Sequence, residues 1–126
     1  MKERTKQFAV RVVKMFRVLP KTTEARVLGR QVVRSGTPVA ANYRAACRGK
    51  SKADVLHKLA IVEEEADESL YWIELLIESE TVPAKKLSAL GKEISEILRM
   101  TVASIKTLRL KDEKFARNSA NPKSKI

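Results

Sequence analysis

Apolar side chains recur along this chain in alternating steps of three and four, the spacing that lines one face of an α-helix. The pattern is longest between Ser51 and Glu80, where Val55, Leu59, Val62, Ala66, Leu70, Ile73 and Ile77 draw one stripe. Ser51 followed by Asp54 starts it in the manner of a capping box, with Asp in place of Glu or Gln. At its helical rise this segment is roughly 45 Å long, and a stripe of that length needs long partners to cover it. Phe8, Val12, Met15, Phe16 and Leu19 give a first helix from about Arg4 to Leu19, ended by Pro20. A second helix, capped by Thr22 or Thr23, runs to about Arg48, with Gly49 closing it at the C′ position. Inside it, Pro38 has no N–H for the Arg34 carbonyl, which predicts a kink. Asn42, one turn later, offers its amide to a backbone group freed there. Pro83 introduces a fourth helix carrying Leu87, Leu90, Ile94, Ile97, Thr101, Ile105 and Leu108.

The expected fold class is therefore all-α. Tight turns return each helix beside the one before it, giving an antiparallel up-down-up-down four-helix bundle with a kinked second helix. Residues 1–112 form the bundle domain; beyond Lys111 the pattern fades, and residues 113–126 read as a basic, flexible C-terminal tail.

Composition narrows the class. A chain of 126 residues holds one domain with a real core, and four glycines and four prolines suit a helical protein. A single cysteine, Cys47, leaves no internal disulfide and fits a reducing compartment, so a cytoplasmic location is expected. No apolar run approaches the roughly 20 residues of a membrane span, and no membrane partner is expected. The basic, amphipathic start has the composition of an organelle transit peptide, but its apolar positions continue into the bundle pattern.

Charge changes the picture more. The net charge of +11 points to polyanions or acidic partners. Arg26, Arg30, Arg34, Arg44 and Arg48 fall on one side of the second helix, and Glu63, Asp67, Glu74 and Glu78 on one side of the third. Antiparallel pairing sets Glu63 to Glu74 level with Arg34 to Arg26, so these seven residues apart from Arg44 and Arg48 are candidates for salt bridges or a subunit interface. Arg44 and Arg48 lack such partners and neighbour Lys50, Lys52 and Lys58. The end of the fourth helix, with Lys106, Arg109, Lys111, Lys114 and Arg117, returns to the same pole. Counting Lys123 and Lys125, that pole gathers twelve basic residues against Asp54, Asp112 and Glu113. Such a concentration is an electrostatic footprint for phosphates. Arg44, Arg48, Lys50, Lys52, Lys58, Arg109 and Lys111 are the candidate nucleic-acid contacts. With only Tyr43 and Phe115 as aromatic neighbours, backbone-charge recognition is favoured over base reading.

Catalytic chemistry is not expected. One histidine, His57, and Cys47 carry no metal-ligand spacing, and there is no Gly-rich phosphate loop. The run Glu63-Glu64-Glu65 with Asp67 and Glu68 looks like a carboxylate-rich metal helix, but the Glu-x-x-His of di-iron bundles is absent. No metal, no cofactor and no small-molecule substrate are expected.

The segments R-S-G-T-P-V-A-A-N-Y-R-A-A-C-R-G-K-S-K-A-D (Arg34 to Asp54) and K-L-A-I-V-E-E-E-A-D-E-S-L-Y-W-I-E-L-L (Lys58 to Leu76) resemble the bacterial four helix bundle protein family, also known as the rRNA intervening-sequence protein family. The resemblance covers about residues 5 to 110. It implies an up-down bundle assembled as a ring-shaped homopentamer, encoded within intervening sequences of large-subunit rRNA genes or as a free-standing gene. A distant relative, the accessory protein Avd of diversity-generating retroelements, is a basic pentamer that binds nucleic acid and a reverse transcriptase. The resemblance carries over no catalytic residue. Family members often have Ala-Glu-Gly around Arg44-Ala45-Ala46-Cys47, so the basic pole belongs to a subgroup. The expectation is a non-enzymatic, homo-oligomeric protein that binds RNA, rRNA or an RNA/DNA hybrid. The alternative is an interaction scaffold or accessory subunit for an acidic protein or a reverse transcriptase.

Overall fold

Four helices account for most of residues 1–120, the part of the chain described by the computed structural model: α1 (Lys2–Arg17), α2 (Thr23–Cys47), α3 (Lys52–Glu78) and α4 (Ala84–Ala120). Side-chain caps fix two of the starts. Thr22 Oγ1 accepts the Ala25 N–H at 3.3 Å and Ser51 Oγ accepts the Asp54 N–H at 3.1 Å. Asp54 Oδ2 in turn accepts the N–H of Lys50 at 3.3 Å, one residue outside the cap. α1 stops at Arg17, short of the expected Leu19, and Leu19 is buried just beyond the helix.

The end of α3 is a Schellman motif. The Glu80 N–H donates to the Ile77 carbonyl at 3.0 Å and the Thr81 N–H to the Leu76 carbonyl at 3.1 Å. This places Glu80 at a φ of 59°, the left-handed region, without a glycine. Gly49 stands at the C′ position of α2 as expected, its N–H donating to the Ala46 carbonyl at 3.0 Å. Among the described residues no glycine has a positive φ, so Gly49 does not close α2 by left-handed geometry. Its missing side chain makes room: a Cβ there would lie 2.4 Å from Val55 Cγ2.

α2 remains helical across Pro38. Asn42 Nδ2 donates to the Pro38 carbonyl at 2.9 Å, not to the Arg34 carbonyl that the proline leaves open. The reason is reach, since a short amide meets the carbonyl four residues back, whereas Arg34 lies about two turns away.

Packing follows chain order. α2 lies against α1 and α3, α3 against α4, and α4 returns to α1. One core cluster joins Phe8 and Val12 of α1, Val32 and Val39 of α2, Val62, Ala66, Ile73 and Leu76 of α3, and Leu87, Leu90, Ile94 and Ile97 of α4. Each such side chain, taken fully from water, is worth about 1.5–3 kcal/mol. α1 comes close to α2 at two glycines seven residues apart. A Cβ on Gly36 would meet Val12 Cγ2 at 3.2 Å and Phe8 Cε2 at 3.3 Å, and one on Gly29 would meet Phe16 Cδ2 at 3.1 Å. A second cluster joins Ala46, Leu59 and Ile105, with Tyr43, Val55, Leu56 and Leu108 packed around them.

α4 does not stop where its apolar pattern fades. It continues to Ala120, so residues 113–120 of the expected tail are helical, and residues 121–126, with Lys123 and Lys125, lie outside the described residues.

Candidate nucleic-acid interface

The second cluster organises the candidate site. Ala46 stands between Arg44 and Arg48; Leu59 follows Lys58; Ile105 precedes Lys106 and Arg109 by one and four positions. The turn holding Gly49, Lys50 and Lys52 closes against Val55 of the same cluster. Apolar packing thus joins the three backbone segments that carry the candidate phosphate contacts. Arg44, Arg48, Lys50, Lys52, Arg109 and Lys111 are exposed, and Lys58 is half-buried.

Two lysines missing from the sequence reading enter the same neighbourhood. Lys2 and Lys6 of α1 line a surface hollow with Ala40, Ala41 and Arg44. The signal was present in the topology: a bundle that gathers the end of α2 also gathers the start of α1.

Acidic residues are placed differently from expectation. Glu63 lines a groove between α3 and α4 with Val102, Ile105, Lys106, Arg109, Leu110 and Glu113. The adjoining stretch of the groove is lined by Ala60, Glu63, Glu64, Asp67, Leu98 and Val102. Glu63 and Asp67 therefore face the α4 side and not the arginines of α2. Across α2 and α3 it is Arg34 and Glu68 that form an ion pair, and Trp72 Nε1 donates to the same Glu68 oxygen at 3.3 Å. Arg26 sets its guanidinium 5.5 Å from the centre of the Phe16 ring. Arg30, Glu74 and Glu78 are exposed. Acidic residues surround α3, and it is Glu68, at the α2 seam, that meets Arg34.

Arg4 ties α1 to α4. Arg4 Nε donates to Glu93 Oε2 at 2.7 Å, and Arg4 Nη2 to Glu93 Oε1 at 2.8 Å and Glu96 Oε2 at 2.5 Å. The Arg4 hydrogen bonds hold the Glu93 carboxyl below its usual range. Burial pushes the Glu65 carboxyl up, with Glu68 adding to the effect, and Glu65 Oε2 is buried without a hydrogen-bond partner. Burial likewise raises the Tyr43 phenol, with Cys47 adding to the effect. Cys47 and His57 are both exposed, and among the described residues no group of three or more His, Cys, Asp or Glu is placed to hold a metal ion. No helix there is long and apolar enough to cross a membrane.

These features define an all-helical protein whose four helices pack in chain order around one main core cluster, with a second cluster beside the candidate site. A family match covers residues 1–103: the chain belongs to the 23S rRNA-intervening sequence protein family. A similar solved structure is the crystal structure of a protein of unknown function from the S23 ribosomal protein family of Bacteroides thetaiotaomicron VPI-5482. It is 35% identical, with a TM-score of 0.77 over 83% of this chain and 94% of that one. None of the curated proteins matches this chain.

Proposed function

We propose that this chain is a non-enzymatic, cytoplasmic, homo-oligomeric bundle that binds nucleic acid through phosphate contacts made by Arg44, Arg48, Lys50, Lys52, Lys58, Arg109 and Lys111, with Lys2 and Lys6 beside them. The observation that carries this reading is the Ala46, Leu59 and Ile105 cluster, which ties three basic segments to one anchor. Phosphate neutralisation needs cations fixed near one another, and a packed anchor supplies that without base-specific geometry. The family's name, 23S rRNA-intervening sequence protein, fits an RNA ligand.

The reading rests on an antiparallel course of the helices. Contacts that support it rise on one helix as they fall on the next. Ser35 meets Ser69 while Ala46 shares a cluster with Leu59, Ile73 meets Gly91 while Leu59 shares that cluster with Ile105, and Gly36 meets Phe8 while Gly29 meets Phe16.

A pentameric ring is part of the same proposal. Arg26 and Arg30, exposed on α2, complement Glu63, Glu64 and Asp67 along the α3/α4 side. Faces of opposite charge on opposite sides of one protomer suit head-to-tail contacts that close cyclically.

The test is charge reversal at the basic pole. Arg44→Glu with Arg48→Glu is expected to abolish retention of a structured RNA hairpin while the helical circular-dichroism signal stays intact. Unchanged retention would refute the site. A protein-scaffold role, for an acidic protein or a reverse transcriptase, has support from exposed apolar Val10, Val13 and Val27. Partners that survive nuclease treatment of a lysate would favour it.

A further inference from the structure

α4 is longer than the bundle it belongs to. Its core-facing positions run Ile94, Ile97, Thr101, Ile105 and Leu108, and the same steps of three and four continue to Asp112 and Phe115. Among the described residues Ile105 is the last buried one in the helix. Phe115 lies about 15 Å further along, on the side that upstream faces the core, and it is 71% exposed.

A large aromatic ring left in water at the end of a helix is costly unless something covers it. Its surroundings say what. Arg109, Lys111, Lys114 and Arg117 lie within six residues of it, against Asp112 and Glu113. Pairing this segment with its counterpart in a second copy would bring two sets of four cations together, which repulsion opposes. A polyanion with apolar faces satisfies both features at once. We infer that the overhang of α4 is a stacking platform for single-stranded nucleic acid, with a base on the Phe115 ring and Lys111, Lys114 and Arg117 on the flanking phosphates. The platform lies beyond residues 1–103, the part of the chain that the family match covers. The inference deepens the proposed function and rests on it: the bundle pole supplies charge, and the overhang adds a preference for unpaired bases.

The experiment measures anisotropy of labelled oligouridylate and of a blunt RNA duplex of equal length against the full chain. Phe115→Ala is expected to weaken oligouridylate binding roughly five- to hundredfold, the range that loss of one stacked base produces, and to leave duplex binding within about twofold. Phe115→Leu keeps apolar area without a π face and is expected to match the alanine variant. Phe115→Trp is expected to restore affinity, with its emission quenched on oligouridylate. Alanine and leucine variants that bind oligouridylate as the parent does overturn the platform and leave the proposed function standing. So does a lower oligomer mass for Phe115→Ala in light scattering, which would make the ring a subunit contact. A parent chain that binds neither RNA overturns both.

Discussion

Ser69 Oγ donates to Ser35 Oγ at 2.9 Å across the buried contact of α2 with α3. Each hydroxyl is also within reach of its own helix: Ser35 Oγ of the Gln31 carbonyl and Ser69 Oγ of the Glu65 carbonyl, both at 2.8 Å. Removing one serine therefore leaves the other satisfied. Ser35→Ala and Ser69→Ala are each expected to cost about 0.5–1.5 kcal/mol, not the larger penalty of an orphaned buried hydroxyl. Urea unfolding of both variants and the double variant tests this, and a coupling energy near zero would mean that the bridging bond contributes nothing.

Glycines in the helices separate by what surrounds them. A Cβ on Gly91 would make ordinary contact with Ile73 Cγ2 at 3.5 Å, so Gly91→Ala is expected to stabilise by about 0.5–1 kcal/mol through helix propensity. Gly36→Ala pushes into Val12 and Phe8, and crowding of about 1–3 kcal/mol outweighs the same gain. Thermal denaturation should move Tm in opposite directions for the two. A rise for Gly36→Ala would mean that α1 is free to shift outward.

Glu80 carries a side chain in left-handed backbone, at a φ of 59°. Glycine avoids the steric cost there, so Glu80→Gly is expected to stabilise by about 0.5–1 kcal/mol despite the greater freedom it gives the unfolded chain. A Tm that falls would show that the Glu80 side chain makes a contact worth more than the strain.

Two carboxyls give the stability a pH dependence of opposite signs. Glu93 is held low by Arg4, so its contribution is present above the unfolded value of 4.5 and is lost as pH falls through its folded value. Glu93→Gln should lower Tm at pH 7, and the difference from the parent should fade in acid. Glu65 is raised by burial, so its ionised form costs stability at neutral pH, and that cost disappears as pH falls from its folded value to 4.5. Glu65→Gln should raise Tm at pH 7 and lose its advantage toward pH 4. A Tm difference independent of pH in either variant would remove that group from the account.

The helices were legible because their signals are local. Thr22 and Ser51 cap where hydroxyls precede periodic apolar runs, and Phe8, Val12, Val62, Ile73, Ile94 and Ile97 are buried as their spacing implies. What escaped the sequence depends on neighbours across space. The partner of Arg34 is Glu68, chosen by the α2/α3 seam and not by a stripe on one helix. Arg26 found an aromatic ring on α1, a contact with no periodicity to reveal it. Lys2 and Lys6 joined the basic end because the first helix begins beside Arg44. The extension of α4 was hidden because no apolar repeat runs on past Leu108 to announce it.

The phosphate-binding pole is tested most directly by the salt dependence of duplex RNA affinity. Log K against log salt should fall with a slope of about −0.9 for each phosphate contact made on a DNA-like duplex. Seven cations fixed around the Ala46, Leu59 and Ile105 anchor predict a steep slope for the parent chain and one shallower by about 2 for Arg44→Gln with Arg48→Gln. A flat dependence, or the same slope in parent and variant, would contradict the account.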